Sequence, residues 1–345
     1  MILKSVTFKY NYAQRNKGYD NHLYRDGNGG ALFWNGRGTA ETTCYIDGCT
    51  FLYNKCDDNG GAIKAQGSIK FINNKTTIRE NTAPFGAGIF IEGYTGSVHL
   101  PNASSIKYDL NENLELINNS ATSYTYEGEN NPGKGAGIHF CFNDQMTLED
   151  KSSIEVAING VSITGNTISG EGGLGGGIYF ENTSLASHEY TFQINLNYGT
   201  ISDNSSTSKG GGIYVYKETV EANAVDESIL TVSGNTSSSG AGIYIEEGSL
   251  EMANGTIRQN SITGTGNGGG IYIENGDFTI NAGEISGNSV GNGNGGGVYI
   301  VGSDGNGNFT MDGPGAITGN SASGNGENVG FGGGIYVHSK LPLYR

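Results

Sequence analysis

Two short motifs alternate along this chain from end to end, and that alternation limits the fold more than any other feature. The first is Gly-(Gly/Ala)-(Gly/Ala)-aliphatic, ending at Leu32, Ile63, Ile89, Ile138, Ile178, Ile213, Ile243, Ile271, Val298 and Ile335. The second is hydrophobic-x-x-Asn, ending at Asn11, Asn54, Asn81, Asn119, Asn166, Asn204, Asn235, Asn260, Asn288 and Asn320. Each occurs ten times, in strict alternation. The chain is therefore one supersecondary unit repeated, each copy burying its apolar face against its neighbours.

The clearest unit runs from Gly268 to Asn294 and holds three short segments with polar corners between them. Ile271-Tyr272-Ile273 and Phe278-Thr279-Ile280 alternate with period two, and Glu284-Ile285-Ser286 leads into the Asn motif. Segments this short and alternating read as strands. Gly and Asn fill the corners, where the backbone needs positive φ or a close approach. Three strands per turn of about 27 residues predict an all-β fold, a single-stranded right-handed parallel β-helix, with strands stacked about 4.8 Å apart. Ten motif copies and one wide interval predict about 10–12 coils of three short strands. Helical repeats are excluded, since sixty glycines would each cost a helix about 1 kcal/mol relative to alanine. Leucine-rich repeats are excluded because their L-x-x-L-x-L pattern is absent.

Successive aliphatic positions are 31, 26, 49, 40, 35, 30, 28, 27 and 37 residues apart. The 49-residue interval from Ile89 to Ile138 is wide enough for an extra, degenerate coil through Ser97-Val98-His99-Leu100 and Ser105-Ile106-Lys107-Tyr108. Longer loops are expected near residues 95–135 and 140–175, within one elongated domain over 1–345. The repeated Asn should form an amide ladder at one corner, each carboxamide donating to the next. The Gly pair should turn the chain where a side chain would strike the adjacent coil.

A narrow apolar column accounts for a hydrophobic content of only 35%. No apolar run approaches the length of a transmembrane helix, and the first residues lack the apolar stretch of a signal peptide. Met1 opens mid-repeat and the last Gly motif is followed by only a short tail, so a segment of a longer protein is expected, its signal and anchor outside this chain. The net charge is −15, and between Glu218 and Ser339 one basic residue, Arg258, faces thirteen acidic ones. Such a surface repels phosphate backbones, which excludes nucleic acid as a partner. Cys44 and Cys49 flank a short bend and could pair if the chain is exported, or could fill core positions as small apolar side chains. There is no CxxC, and no histidine stands near these cysteines at ligand spacing, so no metal site is expected.

The paired motifs resemble the polymorphic outer membrane protein repeats of chlamydiae, whose signatures are GGA(I/L/V) and FxxN. Gly29-Gly30-Ala31-Leu32 and Gly60-Gly61-Ala62-Ile63 match the first literally, and Phe8-Lys9-Tyr10-Asn11 and Phe51-Leu52-Tyr53-Asn54 match the second. Later copies drift to GAGI or GGGI and to Ile-Ser-Gly-Asn or Ile-Arg-Gln-Asn. The resemblance implies a secreted or cell-surface, outer membrane-associated solenoid, adhesin-like or passenger-type. Its partner would be a protein or glycan on a host or neighbouring cell, and no cofactor is implied.

A carbohydrate-active parallel β-helix enzyme is the competing class, and it would need clustered outward carboxylates. None recur at matching first-strand positions, so no catalytic residue is assigned. Asp304-Gly305-Asn306-Gly307-Asn308 starts like a calcium loop, but Gly315 stands where its bidentate acid belongs. Asp57-Asp58 reads as a solvated corner. The candidate binding feature is the residue between the two first-strand aliphatics: Phe33, Lys64, Phe90, His139, Tyr179, Tyr214, Tyr244, Tyr272, Tyr299 and Tyr336. Six successive tyrosines at one outward position predict an exposed aromatic ladder, which can bind sugars or apolar protein patches or simply stabilise the sheet.

Overall fold

Alternation around the Gly motif makes a strand whose two aliphatics point one way, and every copy stacks on the same column. A computed structural model describes residues 1–15, 27–36, 43–95, 105–126, 129–146, 153–183, 191–223, 228–303, 307–325 and 330–340. The first strands form a ten-stranded sheet running coil by coil from Leu32–Asn35 to Ile335–Lys340. All pairings in it are parallel, and the motif aliphatics pair in register from Leu32↔Ile63 through to Val298↔Ile335. This is a parallel β-helix, all-β among the described residues.

The earlier strands Ile2–Lys4, Thr43–Asp47 and Ser68–Phe71 form a three-stranded sheet of their own, while the third strands, and the second strands from Ser105–Asn111 onward, share a fifteen-stranded sheet. In it the hydrophobic residues that open the Asn motif align as Phe8↔Phe51↔Ile78↔Leu116↔Ile163↔Ile201↔Val232↔Ile257↔Ile285↔Ile317. The unit chosen from sequence holds Ile271–Glu274, Phe278–Ile280 and Glu284–Ser286 as strands, and a fourth, Ser289–Asn292, which the three-strand reading missed. Its equivalents pair along their own column, for example Ser261↔Ser289↔Ser321. The aliphatics of both large sheets meet in one apolar column, with Ile213, Val215, Ile271, Ile273, Val298 and Ile300 all at zero exposure. Burial of these residues is the main stabilising term, at about 25 cal/mol per Å² of apolar surface.

The wide interval does not contain an extra coil. Ile89–Thr95 pairs directly with Ile138–Met146, so no strand intervenes between them. Ser105–Asn111 is the second strand of that same coil, paired with Ser153–Thr164. Part of the surplus length forms an antiparallel hairpin, Tyr124–Tyr126 with Glu129–Asn131, set before the next Gly motif. Residues 97–100 lie outside the described residues. Two further long coils fuse their second and third strands into single strands, Ser153–Thr164 and Thr191–Ser202.

The Asn ladder is continuous over all ten copies. In each rung the backbone N–H and the Nδ2 of one Asn both donate to Oδ1 of the Asn in the next coil, as Asn260 does to Asn288 at 3.0 and 2.9 Å. The chain runs Asn11, Asn54, Asn81, Asn119, Asn166, Asn204, Asn235, Asn260, Asn288, Asn320, with side-chain distances of 2.8–3.0 Å. A further bond closes each rung. Nδ2 of Asn288 donates back to the carbonyl of Ile257, the hydrophobic residue that opens the preceding Asn motif, at 2.9 Å. The same bond recurs from Asn54 to Phe8 onward. Both ends of hydrophobic-x-x-Asn are thus used by the ladder.

The residue just before the Asn adopts left-handed φ in every copy. It is Gly at 165, 234, 287 and 319, and Tyr10, Tyr53, Glu80, Asn118, Asp203 and Gln259 elsewhere. The first Gly of each Gly motif is also left-handed in all ten copies, for example Gly268 at φ 70°. A Cβ there would lie 2.4 Å from the carbonyl of Ile271, inside the motif itself. Ala is accepted at the second and third positions, at Ala87 and Ala62 for example, but never at the first.

The acidic corner departs from the sequence reading, and the cysteines take the core-filling alternative that it left open. Cys44, Cys49 and Cys56 are buried free thiols that serve as core filler, so Cys44 and Cys49 are not paired. Asp58 is fully buried rather than solvated, 3.7 Å from the Arg15 guanidinium, and neighbouring Asp57 accepts from the Tyr12 hydroxyl. Residues 304–306 of the calcium-like loop lie outside the described residues, while the amides of Gly307 and Asn308 donate to Asp277.

Two outcomes test this account. Asn288→Leu leaves the buried Asn260 backbone N–H and carboxamide without their acceptor and removes one of the donors to the Ile257 carbonyl, and should cost about 3 kcal/mol at roughly 1–3 kcal/mol per orphaned group. Amide exchange by NMR or mass spectrometry should be fastest at the rungs either side of residue 288, and unchanged protection there would contradict the ladder's role. Gly287→Ala makes only an ordinary contact, with Gln259 Cγ at 3.6 Å, and should cost only the about 1–2 kcal/mol of a left-handed L-residue. Gly268→Ala adds the clash with Ile271, so its loss in thermal denaturation should be clearly larger. Equal losses would place the cost in φ alone.

Candidate functional site

Outward residues of the ten-stranded sheet fall into columns because the stacking is in register. The middle column is Phe33, Lys64, Phe90, His139, Tyr179, Tyr214, Tyr244, Tyr272, Tyr299 and Tyr336, each paired with the next. The tyrosine rings stack face to face, except that Tyr272 and Tyr299 are tilted by 34°. Their centroids are 5.0 Å apart for Tyr179–Tyr214, 5.5 Å for Tyr214–Tyr244, 4.5 Å for Tyr244–Tyr272, 4.8 Å for Tyr272–Tyr299 and 5.2 Å for Tyr299–Tyr336. The alignment expected from sequence is present.

The expected exposure is not. Tyr179, Tyr214 and Tyr244 are only 3, 3 and 2% exposed, and with Leu174, Tyr216 and Tyr272 they form a small apolar cluster outside the main core. Outward on a strand does not mean in water here, for two reasons. Stacking covers both faces of each ring. The residues just before the Gly motifs form a second column alongside, Asn59, Phe85, Lys134, Leu174, Lys209 and Ser239, joined by parallel bridges. Its large members cap the rings: Lys134 Nζ sits 4.9 Å from the Tyr179 centroid and Lys209 Nζ 4.6 Å from that of Tyr244. Beyond Ser239 the equivalent residues Asn267 and Asn294 are short, the last, Phe331, is an exposed ring stacked on Tyr336 at 6.2 Å, and Tyr272, Tyr299 and Tyr336 are half-exposed.

A third column lies on the other side, two residues past the ring: Gln66, Glu92, Cys141, Glu181, Tyr216, Glu246, Glu274, Val301 and His338. Glu246 and Glu274 do recur at matching positions of adjacent coils, against the sequence expectation, and the acids of this column bind the rings and the capping lysines. The Tyr214 hydroxyl donates to Glu246, and that of Tyr244 to Glu274 at 2.5 Å. Lys209 reaches Glu246 at 2.9 Å and Glu274 at 3.9 Å. Burial, reinforced by the facing carboxylates, raises the Tyr214 and Tyr244 hydroxyls well above the ordinary phenol range, so both stay protonated donors. Burial works to raise the Glu246 carboxyl, but Tyr214 and Lys209 outweigh it and hold it low.

Toward the N-terminal coils the ring column changes chemistry. Lys64, 5% exposed, lies between Phe33 and Phe90 and pairs with Glu92 at 3.1 Å. One coil on, His139 meets Phe90 and Tyr179 edge-on, each at 4.7 Å. It is 2% exposed, and neither ring nitrogen has a hydrogen-bond partner. Nε2 comes within 3.3 Å of Glu181 Oε2, off the direction of a hydrogen bond. Burial lowers the imidazole pKa and leaves the ring neutral at neutral pH. Burial also works to raise Glu181, but the facing His139 and the Lys134 ammonium, 3.1 Å away, bring it down to about 2. Cys141, two residues past His139 on the same outward face, pairs in register with Glu181. A ring nitrogen of His139, Cys141 Sγ and a Glu181 oxygen all lie within 4.8 Å of one another. The sequence reading held that no histidine near the four cysteines, Cys44, Cys49, Cys56 and Cys141, had ligand spacing. The signal it passed over was the i, i+2 spacing of His139 and Cys141, which puts both on one face of a strand.

A family model of the Chlamydia polymorphic membrane protein repeat matches this chain at residues 48–66 and 199–216. Each matched segment runs from the strand before the Asn, through the Gly motif, into the first strand of the next coil. No curated protein and no solved structure matches the chain. At these two places the chain is similar to that repeat, and the matched coils share their register, their Asn rung and their Gly corner with the other coils.

Proposed function

We propose that this chain is a non-catalytic, surface-displayed scaffold that binds a protein or glycan on a host or neighbouring cell. The observation that carries this reading is the change along the ring column from capped to accessible. Tyr179, Tyr214 and Tyr244 are structural, whereas Tyr272 and Tyr299 are half-exposed beside short Asn neighbours and Tyr336 is half-exposed with the exposed Phe331 stacked on it. Stacked rings held rigidly in place offer apolar area at little entropic cost, which suits sugar faces and apolar side chains. The acidic surroundings favour a neutral or basic partner over a polyanion. Support for the absence of catalysis comes from how the carboxylates of this face are used: Glu92 by Lys64, Glu181 by Lys134, Glu246 by Lys209 and Glu274 by Tyr244. Exposure at the cell surface or outer membrane accords with the repeat family.

Replacing Tyr272 and Tyr299 together with Ser should lower binding to host cells or to a glycan array by at least tenfold. Circular dichroism should remain that of the parent, because neither side chain fills the main core. Tyr179→Ser should instead lower thermal stability, by roughly 3–5 kcal/mol for loss of a buried ring, with no direct effect on binding by protein that stays folded. Undiminished adhesion by a folded Tyr272/Tyr299 variant would remove the binding role from this strip.

A further inference from the structure

We propose that His139, Cys141 and Glu181 form a binding site for a zinc-class divalent cation on the outer face of the ten-stranded sheet, with the fourth coordination position open to water. All three side chains stand on adjacent strands of two consecutive coils, Ile138–Met146 and Ile178–Asn182, fixed by in-register pairing. Their ligand atoms lie within 4.8 Å of one another. In a tetrahedral site with metal–ligand bonds of 2.0–2.3 Å the ligand atoms are about 3.3–3.6 Å apart, so closure needs about 1 Å of side-chain adjustment. Imidazole, thiolate and carboxylate together are a donor set for zinc rather than for magnesium or calcium, which take oxygen ligands.

The second, independent observation is His139 itself. At every other aromatic position of this column the chain places Phe or Tyr, which leave no buried ring nitrogen. An imidazole with both nitrogens unpartnered costs about 1–3 kcal/mol per orphaned group, and a metal bond would recover that cost. The neutral ring keeps a lone pair for the ion. Charge balances on binding: the thiol proton of Cys141 passes to solvent, and thiolate, carboxylate and neutral imidazole then face a divalent cation. Lys134 is the competitor, since its ammonium holds Glu181 at 3.1 and 3.3 Å and must yield at least one oxygen. The second nitrogen of His139 lacks the outer-shell acceptor that strong sites provide, so the site should be weaker than a closed structural zinc site.

The test uses the chain stripped of metal with a chelator, titrated with Zn²⁺ by calorimetry and with Co²⁺ by absorbance. One equivalent should bind saturably, Co²⁺ should give a thiolate charge-transfer band, and Zn²⁺ should protect Cys141 of the unaltered chain from alkylation. Substitutes that keep the column's packing are available from the columns themselves, Tyr at position 139 as at Tyr179 and Val at position 141 as at Val301. His139→Tyr should weaken Zn²⁺ at least tenfold, and Cys141→Val should abolish the cobalt band. Lys134→Met should tighten binding by removing the competing cation, which a merely structural triad would not do. Absence of saturable binding and of Cys141 protection in the unaltered chain would overturn the proposal, whatever the variants do. Undiminished affinity in folded His139→Tyr would overturn it equally.

Discussion

The amide ladder is the interaction on which the rest of this molecule depends. A parallel β-helix has to bring the chain round the same corner once per coil, and corner backbone groups cannot all reach water. Here each Asn satisfies the corner of the coil before it: its Oδ1 accepts from that coil's Asn N–H and Nδ2, and its own Nδ2 donates to that coil's apolar strand. Each rung is worth little alone, about 1 kcal/mol net per hydrogen bond. Its larger effect is on register. A slip by one residue would break every bond in the rung and turn the aliphatics of the strand outward.

With register set at that corner, the other surfaces follow as columns. The first sheet carries an apolar inner column and three outward ones, and the outward columns are where the coils differ. Lys64, His139 and the tyrosines hold equivalent backbone positions yet supply a caged cation, an unpartnered imidazole and a stack of phenols. Functional variety on this scaffold comes from changing one residue per coil. It need not disturb the core, because outward side chains do not fill it.

Much of this was legible in the sequence because its information is repeated. Ten copies of each motif average out the ambiguity of any single short strand, and the paired aliphatics and the Asn rungs match the structure residue for residue. The left-handed residue before each Asn was less legible, since six of its ten occupants are not glycine. Insertions were misread for a different reason. Between Ile89 and Ile138 a lengthened second strand and a hairpin have the same alternating pattern as a further coil, and only their partners tell them apart.

By itself the sequence determined three strands of the regular repeat, their direction of stacking, the inward residues and the ladder, all of which follow from local period and repetition. Tertiary structure alone decided what the outward face is. Whether Tyr244 meets solvent depends on Lys209, a side chain from the preceding coil, and on the rings above and below it. Likewise Cys141 and Glu181 are forty residues apart in the chain and direct partners in the sheet. Exposure and side-chain juxtaposition are set by contacts between coils, and the lengths of the intervening loops hide those contacts from any reading of a single repeat.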